Sequence, residues 1–252
     1  VRYWAAAARL GTDAAFDEGQ MKVGRRLAIK VLNAAKFALS FEVPSGYDSV
    51  TEPIDQSMLL ALADVVDEAT SAFENYDHTK ALEVTEGFFW KFTDDYLELV
   101  KERAYGQGGA TEAEQASATV ALRRALHTLL RLFAPFIPFT AEEVWSWWQQ
   151  GSIHRAAWPT AADLRANTDP TNGAVLTLAS QAVSSIRKAK SDAKVSMKAS
   201  IQSATIVAPA ESLQSLRLAA GDLRAVGKIW ELDFAEGSTV EATNIEFAEE
   251  SE

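Results

Sequence analysis

The chain has 252 residues, no cysteine, three histidines and a formal net charge of -11. Without cysteine there is no disulfide framework, no thiol nucleophile and no thiolate metal site, and His78, His127 and His154 lack the close spacing of a zinc cluster. At 48% hydrophobic and 23% charged, the composition is that of a globular protein with one large domain or two smaller ones. An acidic total argues against a nucleic-acid partner, unless the charge is unevenly spread. Val1-Arg2-Tyr3-Trp4 opens no secretory signal, and Arg131, Glu142 and Glu143 interrupt the most apolar stretch, 126–148, too early for a membrane span. The chain begins without Met in mid-pattern, so a piece of something longer is expected.

In chain order, residues 18–40 read as the first long helix, free of Pro and with glycines only near its start. A turn-rich stretch, Pro44-Ser45-Gly46-Tyr47-Asp48-Ser49, precedes a second helix over 53–74, with Pro53 suited to its first turn. A third helix is predicted from Asp77, as N-cap, to about Tyr105, where Gly106-Gln107-Gly108-Gly109 breaks it. Thr111-Glu112-Ala113-Glu114 has capping-box spacing and opens a fourth helix to about Phe133. Pro135 and Pro138 interrupt, and Thr140-Ala141-Glu142-Glu143 reads as a second capping box before a short fifth helix. Long amphipathic helices with short connections predict an antiparallel helical bundle.

From 153 to 173 the character changes to linker-like, with Pro159, Asn167, Asp169, Pro170, Asn172 and Gly173. A helix is then predicted over 174–193, strands over 201–208 and 226–234 with a short helix near 212–220 between them, and a further strand over 238–247. The fold class expected is therefore mainly α: an antiparallel helical bundle followed by a small α+β C-terminal domain.

The charge is uneven. Residues 41–119 hold 17 acidic groups against four basic ones, and 201–252 hold ten against three. Residues 19–40 hold five basic groups and no acid. At about 100° per residue, Lys22, Arg25, Arg26, Lys30, Asn33, Lys36 and Phe37 share one arc of that helix, while Val23, Leu27, Val31, Ala34, Ala35 and Ala38 lie opposite. Two readings stand side by side. The stripe is a solvated helix face, or it is a nucleic-acid surface on which Arg and Lys take phosphates, Asn reads a base edge and Phe stacks. Ordinary exposed faces mix signs, and this one does not.

A second basic patch, Arg187, Lys188, Lys190, Lys194 and Lys198, sits at the end of the 174–193 helix, where the dipole favours cations in any case. The aromatic groups Phe88-Phe89-Trp90, Phe92 and Tyr96, and Trp145-Trp147-Trp148, have helical spacing and read as core. Asp94-Asp95 with Glu98 reads as a solvated or salt-bridged face, and His127 as a core histidine. No phosphate loop, dinucleotide turn or nucleophile elbow is present in the sequence, so no catalytic residue and no metal ligand is assigned.

Several blocks resemble the class I aminoacyl-tRNA synthetases. Val1-Arg2-Tyr3-Trp4 with Gly11-Thr12-Asp13 and Phe16-Asp17-Glu18 is similar to the segment after their ATP-binding signature loop. Lys30-Val31-Leu32-Asn33-Ala34-Ala35-Lys36-Phe37 resembles the opening of their helical anticodon-binding domain. The run from Leu132 to Trp145 looks like the family's Pro-Phe signature, and Ser152-Ile153 with Ala157-Trp158-Pro159 like its sequel. Phe92-Thr93-Asp94-Asp95-Tyr96-Leu97-Glu98-Leu99-Val100-Lys101 is similar to the third helix of the valine-specific branch. The match runs over about residues 1–160 and is weaker beyond. Ile29 and Ala134 depart from the pattern, standing where the family usually has Asn and His. The two ATP-site signatures and the editing domain are missing from this chain. The acidic end, Glu249-Glu250-Ser251-Glu252, has no heptads, so contacts of the coiled-coil arm found in many bacterial relatives are not carried over.

The resemblance implies the anticodon-binding portion of a valine-specific enzyme. Its expected divisions are 1–17 as the tail of a stem-contact segment, 18–158 as the bundle, 159–173 as linker and 174–252 as the small α+β domain. The parent would use ATP and Mg to join valine to its tRNA and would clear mischarged threonine, with no cofactor in this piece. Expected partners are valine tRNA and the catalytic remainder of the enzyme, in a cytoplasmic monomer without membrane contact. The anticodon stem-loop would meet Lys22, Arg25, Arg26, Lys30, Asn33, Lys36 and Phe37. Arg187, Lys188, Lys190, Lys194 and Lys198 would make a secondary backbone contact. The alternatives are the corresponding domain of an isoleucyl, leucyl or methionyl enzyme, or a helical protein-interaction scaffold that never meets RNA.

Overall fold

A computed structural model describes residues 1–248; Glu249 to Glu252, and with them the acidic end noted above, lie outside the described residues. The chain is mainly helical, with a small mixed sheet of three strands near its end. The helices are α1 (Arg2–Ala7), α2 (Glu18–Leu39), α3 (Pro53–Glu74), α4 (His78–Lys91), α5 (Leu97–Ala104), α6 (Glu112–Phe133), α7 (Pro138–Ser146), α8 (Ala161–Arg165), α9 (Val175–Asp192), α10 (Ala210–Leu218) and α11 (Ala220–Gly227). The strands are β1 (Ile201–Ala208), β2 (Ile229–Glu236) and β3 (Glu241–Phe247).

Local signals set several of the helix starts. The Asp77 carboxylate accepts from the Lys80 amide at 2.9 Å and begins α4. Thr111 and Glu114 form the reciprocal box: the Thr111 amide donates to Glu114 Oε2 at 2.7 Å, and the Glu114 amide to Thr111 Oγ1 at 3.3 Å. Before it, Gly106, Gly108 and Gly109 all take positive φ, between 65° and 82°, which residues with a Cβ rarely adopt.

Four details differ from the expectation. The helix predicted over 77–105 is interrupted by a π-turn at Phe92–Tyr96, where one residue too many enters the ladder between α4 and α5. The Thr140 box does not form. Pro138 occupies the first turn of α7, so Thr140 lies inside the helix rather than at its cap, and Glu143, the box partner, accepts from the Trp147 indole. Val226 and Gly227 belong to α11 rather than to a strand, and Lys228 turns the chain with φ 54° into β2. The last strand begins at Glu241 rather than 238.

The chain divides into two compact units, each drawn from three segments. The first comprises residues 1–48, 59–93 and 119–168. In it α1 packs on α2 and α4, and α2 on α7. Its core holds Leu27, Val31, Ala35, Leu62, Val66, Phe89, Leu129 and Phe133. Phe89 meets Phe133 edge to face at 5.3 Å, and Phe73 stacks on Phe136 at 5.8 Å. Trp158 closes on the same Phe73 and donates its indole N–H to Thr70 Oγ1 at 2.9 Å. Residues 161–165 are helical, and the Arg165 guanidinium reaches Asp64 and Asp67 at 2.7 and 2.8 Å.

The second unit comprises residues 49–58, 94–118 and 169–252, of which 169–248 are described. Its sheet has the order β2-β1-β3, with β1 parallel to β2 and antiparallel to β3. Helices pack on one face of it, over Ile206, Ala204 and Leu232. Thr205 is paired with Asp233 on one side and Thr243 on the other, and the alternation of strands sends these side chains to the opposite face. A buried polar network completes the unit. Arg103 grips Asp55 through two bonds of 2.9 Å and donates Nε to Asp222 at 2.8 Å. Tyr96 and Ser117 donate their hydroxyls to the same Asp55 at 2.8 and 2.7 Å. Every lone-pair direction of this buried carboxylate is thereby used.

Candidate nucleic-acid interface

Helix α2 begins where Asp17 Oδ1 accepts from the amides of Gly19 and Gln20 at 2.7 and 3.3 Å. Its apolar arc is buried as the periodicity predicts: Leu27, Val31, Ala34, Ala35 and Ala38 are in the core, with Val23 partly covered. On the other arc Lys22, Arg25, Arg26, Asn33 and Lys36 are exposed, with Lys30 and Phe37 half-buried at its margin. Among the described residues Lys22, Arg25, Arg26 and Lys36 make no salt bridge. Three arginines elsewhere in this unit are engaged by the protein. Arg123 donates to the Phe41 carbonyl, Arg124 to that of Asp48, and Arg131 to those of His127 and Ala157.

Two members of the arc are partly engaged by neighbours. The Lys30 ammonium lies 5.9 Å from the centroid of the Trp90 ring. Phe37, half-buried, meets Phe41 edge to face at 4.9 Å. Close approach of α1 fixes the helix from behind. A Cβ on Gly24 would fall 2.5 Å from the Tyr3 Cβ, so the absent side chain is what lets Tyr3 lie on α2. The Tyr3 hydroxyl then donates to Glu86 Oε2 at 2.6 Å, and burial together with that carboxylate pushes its pKa well up. The other oxygen, Glu86 Oε1, accepts from Trp90 Nε1 at 3.1 Å.

The second patch is not one surface. Arg187, Lys188, Lys194 and Lys198 are exposed, and Arg187 lies 3.9 Å from Asp95. Lys190 is only 2% exposed. Its ammonium donates to the carbonyls of Ala199 and Gly227 at 2.8 Å each and of Met197 at 3.2 Å. Enclosed in this way, Lys190 cannot reach an RNA backbone and does not belong to the secondary contact expected of it. The aromatic groups divide in the same way. Phe88, Phe89, Phe92, Tyr96 and Trp145 are core, whereas Trp90 and Trp148 are half-buried and Trp147 is exposed, with its indole on Glu143. Glu98 pairs with Lys101 at 3.7 Å, and His127 stacks on Trp145 at 4.9 Å. Among the described residues no three His, Asp or Glu side chains are grouped to hold a metal ion, and no helix is long and apolar enough to cross a membrane.

Residues 55–206 match the family described as the anticodon-binding domain of tRNA ligase, and the chain belongs to that family. More particularly, it is homologous to the C-terminal portion of valine–tRNA ligases. It is 54% identical to that of Leifsonia xyli subsp. xyli over 97% of this chain and 28% of the relative, and 53% identical to that of Salinispora arenicola over 94% and 29%. The valine–tRNA ligase of Thermobifida fusca is 54% identical over 93% of the chain and 26% of its own length. The chain thus spans less than a third of the curated relatives it matches. Helix α2 lies before the family match but within a chain that the relatives cover almost completely.

Proposed function

We propose that this chain is the anticodon-recognition portion of a valine–tRNA ligase and that α2 meets the anticodon stem-loop of valine tRNA. The observation that carries the reading is the exposed, acid-free arc of α2, held rigid by a buried apolar face. Lys22, Arg25, Arg26 and Lys36 neutralise phosphates, Lys30 does so from the margin, and Asn33 reads a base edge, since sequence-specific RNA contact falls on unpaired loop bases. Phe37 serves chiefly to seat the helix. Arg187, Lys188, Lys194 and Lys198 make a secondary contact with the tRNA backbone. The acidic remainder disfavours non-specific RNA.

The rest of the proposal rests on the resemblance to the class I aminoacyl-tRNA synthetases. The whole enzyme joins valine to its tRNA with ATP and Mg, in the cytoplasm and as a monomer, and clears mischarged threonine; the catalytic domain is this chain's other partner. The division into 18–158 and 174–252 about a segment at 159–173 belongs to the same proposal. Filter binding of the chain to valine and isoleucine tRNAs at two salt concentrations tests it. The expected result is preference for valine tRNA and a fall of log K with log[salt] of about 0.7–0.9 per neutralised phosphate. Equal binding of both tRNAs, or none at low salt, overturns it.

A further inference from the structure

Trp90 stands apart from the aromatic run that contains it. Phe88, Phe89 and Phe92 are buried, while Trp90 is half-buried at the margin of the cationic arc of α2, its ring 5.9 Å from the Lys30 ammonium. The ring is not loose there. Its indole N–H is tied to Glu86 Oε1 at 3.1 Å, and Glu86 is itself held through its second oxygen by Tyr3 at 2.6 Å. Tyr3 in turn occupies the place that Gly24 leaves on α2. The chain Gly24, Tyr3, Glu86, Trp90, Lys30 thus starts and ends on α2 and fixes an indole beside its basic face.

The basic arc of α2 gains a second aromatic group in this way. Its own aromatic residue, Phe37, has its ring set against Phe41. An unpaired base gains from a flat π-surface more than from further charge, and an indole beside an ammonium offers both stacking and a nearby phosphate partner.

From this geometry we infer that Trp90 is the stacking surface of the α2 interface: an unpaired loop nucleotide lays its base on the indole, with its phosphate toward the basic face of α2. Glu86 and Tyr3 are positioning residues that hold the ring at its angle. The inference deepens the proposed function and rests on it. Stacking tolerates any base, so Trp90 contributes affinity and Asn33 remains the discriminating group.

The test uses the chain with the isolated anticodon stem-loop of valine tRNA and, as control, a fully paired duplex of the same length. Trp90→Leu is expected to weaken stem-loop binding by about tenfold or more, with little change in salt slope, because no phosphate contact is lost. Trp90→Phe keeps a ring and is expected to stay within about threefold of wild type. The Trp90 emission, taken as wild type minus Trp90→Phe, is expected to be quenched by the stem-loop and not by the duplex. Unmoved Trp90 emission, or unchanged affinity in Trp90→Leu, overturns the inference. Arg25→Glu separates the two levels. If it weakens binding while Trp90→Leu does not, only the stacking role fails; if neither has an effect, the placement of RNA on α2 fails as well. Should Trp90→Leu not fold, the emission measurement still decides.

Discussion

The Lys190 ammonium donates to the Gly227 carbonyl at 2.8 Å and so ties the last turn of α9 to the end of α11. Two further carbonyls, of Met197 and Ala199, also accept from it, and among the described residues no carboxylate pairs with it. Burial, with a contribution from Lys228, holds its pKa below the ordinary lysine range. The helix-end carbonyl of Gly227 carries partial negative charge, which favours a cation there. Lys190→Met fills similar space but leaves three acceptors without this donor. It is expected to cost about 2–3 kcal/mol in urea unfolding and to speed amide exchange of Val195 and Ala199. Wild-type stability and exchange would show that the ammonium holds nothing.

The buried carboxylate Asp55 gives a stronger case. Arg103 is its cationic partner and also meets Asp222, while Asp222 has its own pKa raised by burial against the opposing effect of Arg103. Replacing Arg103 by Met strands two carboxylates in the core, which is expected to cost about 3–5 kcal/mol. Asp55→Asn is expected to cost less, since it leaves no unpaired anion beside Tyr96 and Ser117. Chemical denaturation of the two variants checks the order, and equal losses would contradict the assigned charge balance.

How much of this was legible depended on how local the cause is. The 53–74 helix, the Asp77 cap and the Thr111–Glu114 box follow from residues within one turn of each other. The cationic arc of α2 was legible too, because a regular helix fixes which side chains share a face. Lys190 was not, since the Gly227 carbonyl that receives it lies 37 residues away. The Thr140 box fails because α7 already begins at Pro138, which leaves Thr140 inside the first turn. The π-turn at Phe92–Tyr96 leaves no trace in apolar spacing, yet it is where Tyr96 reaches Asp55. In the sequence Trp90 is indistinguishable from the core aromatic groups beside it; only the tertiary contacts with Glu86 and Lys30 set it apart.

His127 makes a pH-dependent contribution. Burial, and secondarily Arg131, hold its pKa below the ordinary histidine value, and its ring stacks on Trp145 with an interplanar angle of 25°. Between the folded value and the unfolded value of about 6.5, the unfolded state binds more protons, so stability falls as pH drops through that window. His127→Phe keeps the stacked ring without the titration. The wild-type Tm is therefore expected to fall more than that of His127→Phe between about pH 7 and about pH 5.5. Parallel curves for the two proteins would remove His127 as the cause.

The central claim is that the exposed arc of α2 carries the tRNA. Its most direct measurement is the salt-dependent binding of valine tRNA to the double variant Arg26→Glu with Lys36→Glu. Both side chains are exposed and make no salt bridge among the described residues, so the substitutions leave the apolar face of α2 intact. The account predicts binding at least about tenfold weaker and a log–log salt slope shallower by about 1.4–1.8, as two phosphate contacts are lost. Unchanged affinity with an unchanged slope would contradict it and move the RNA to another face of the chain.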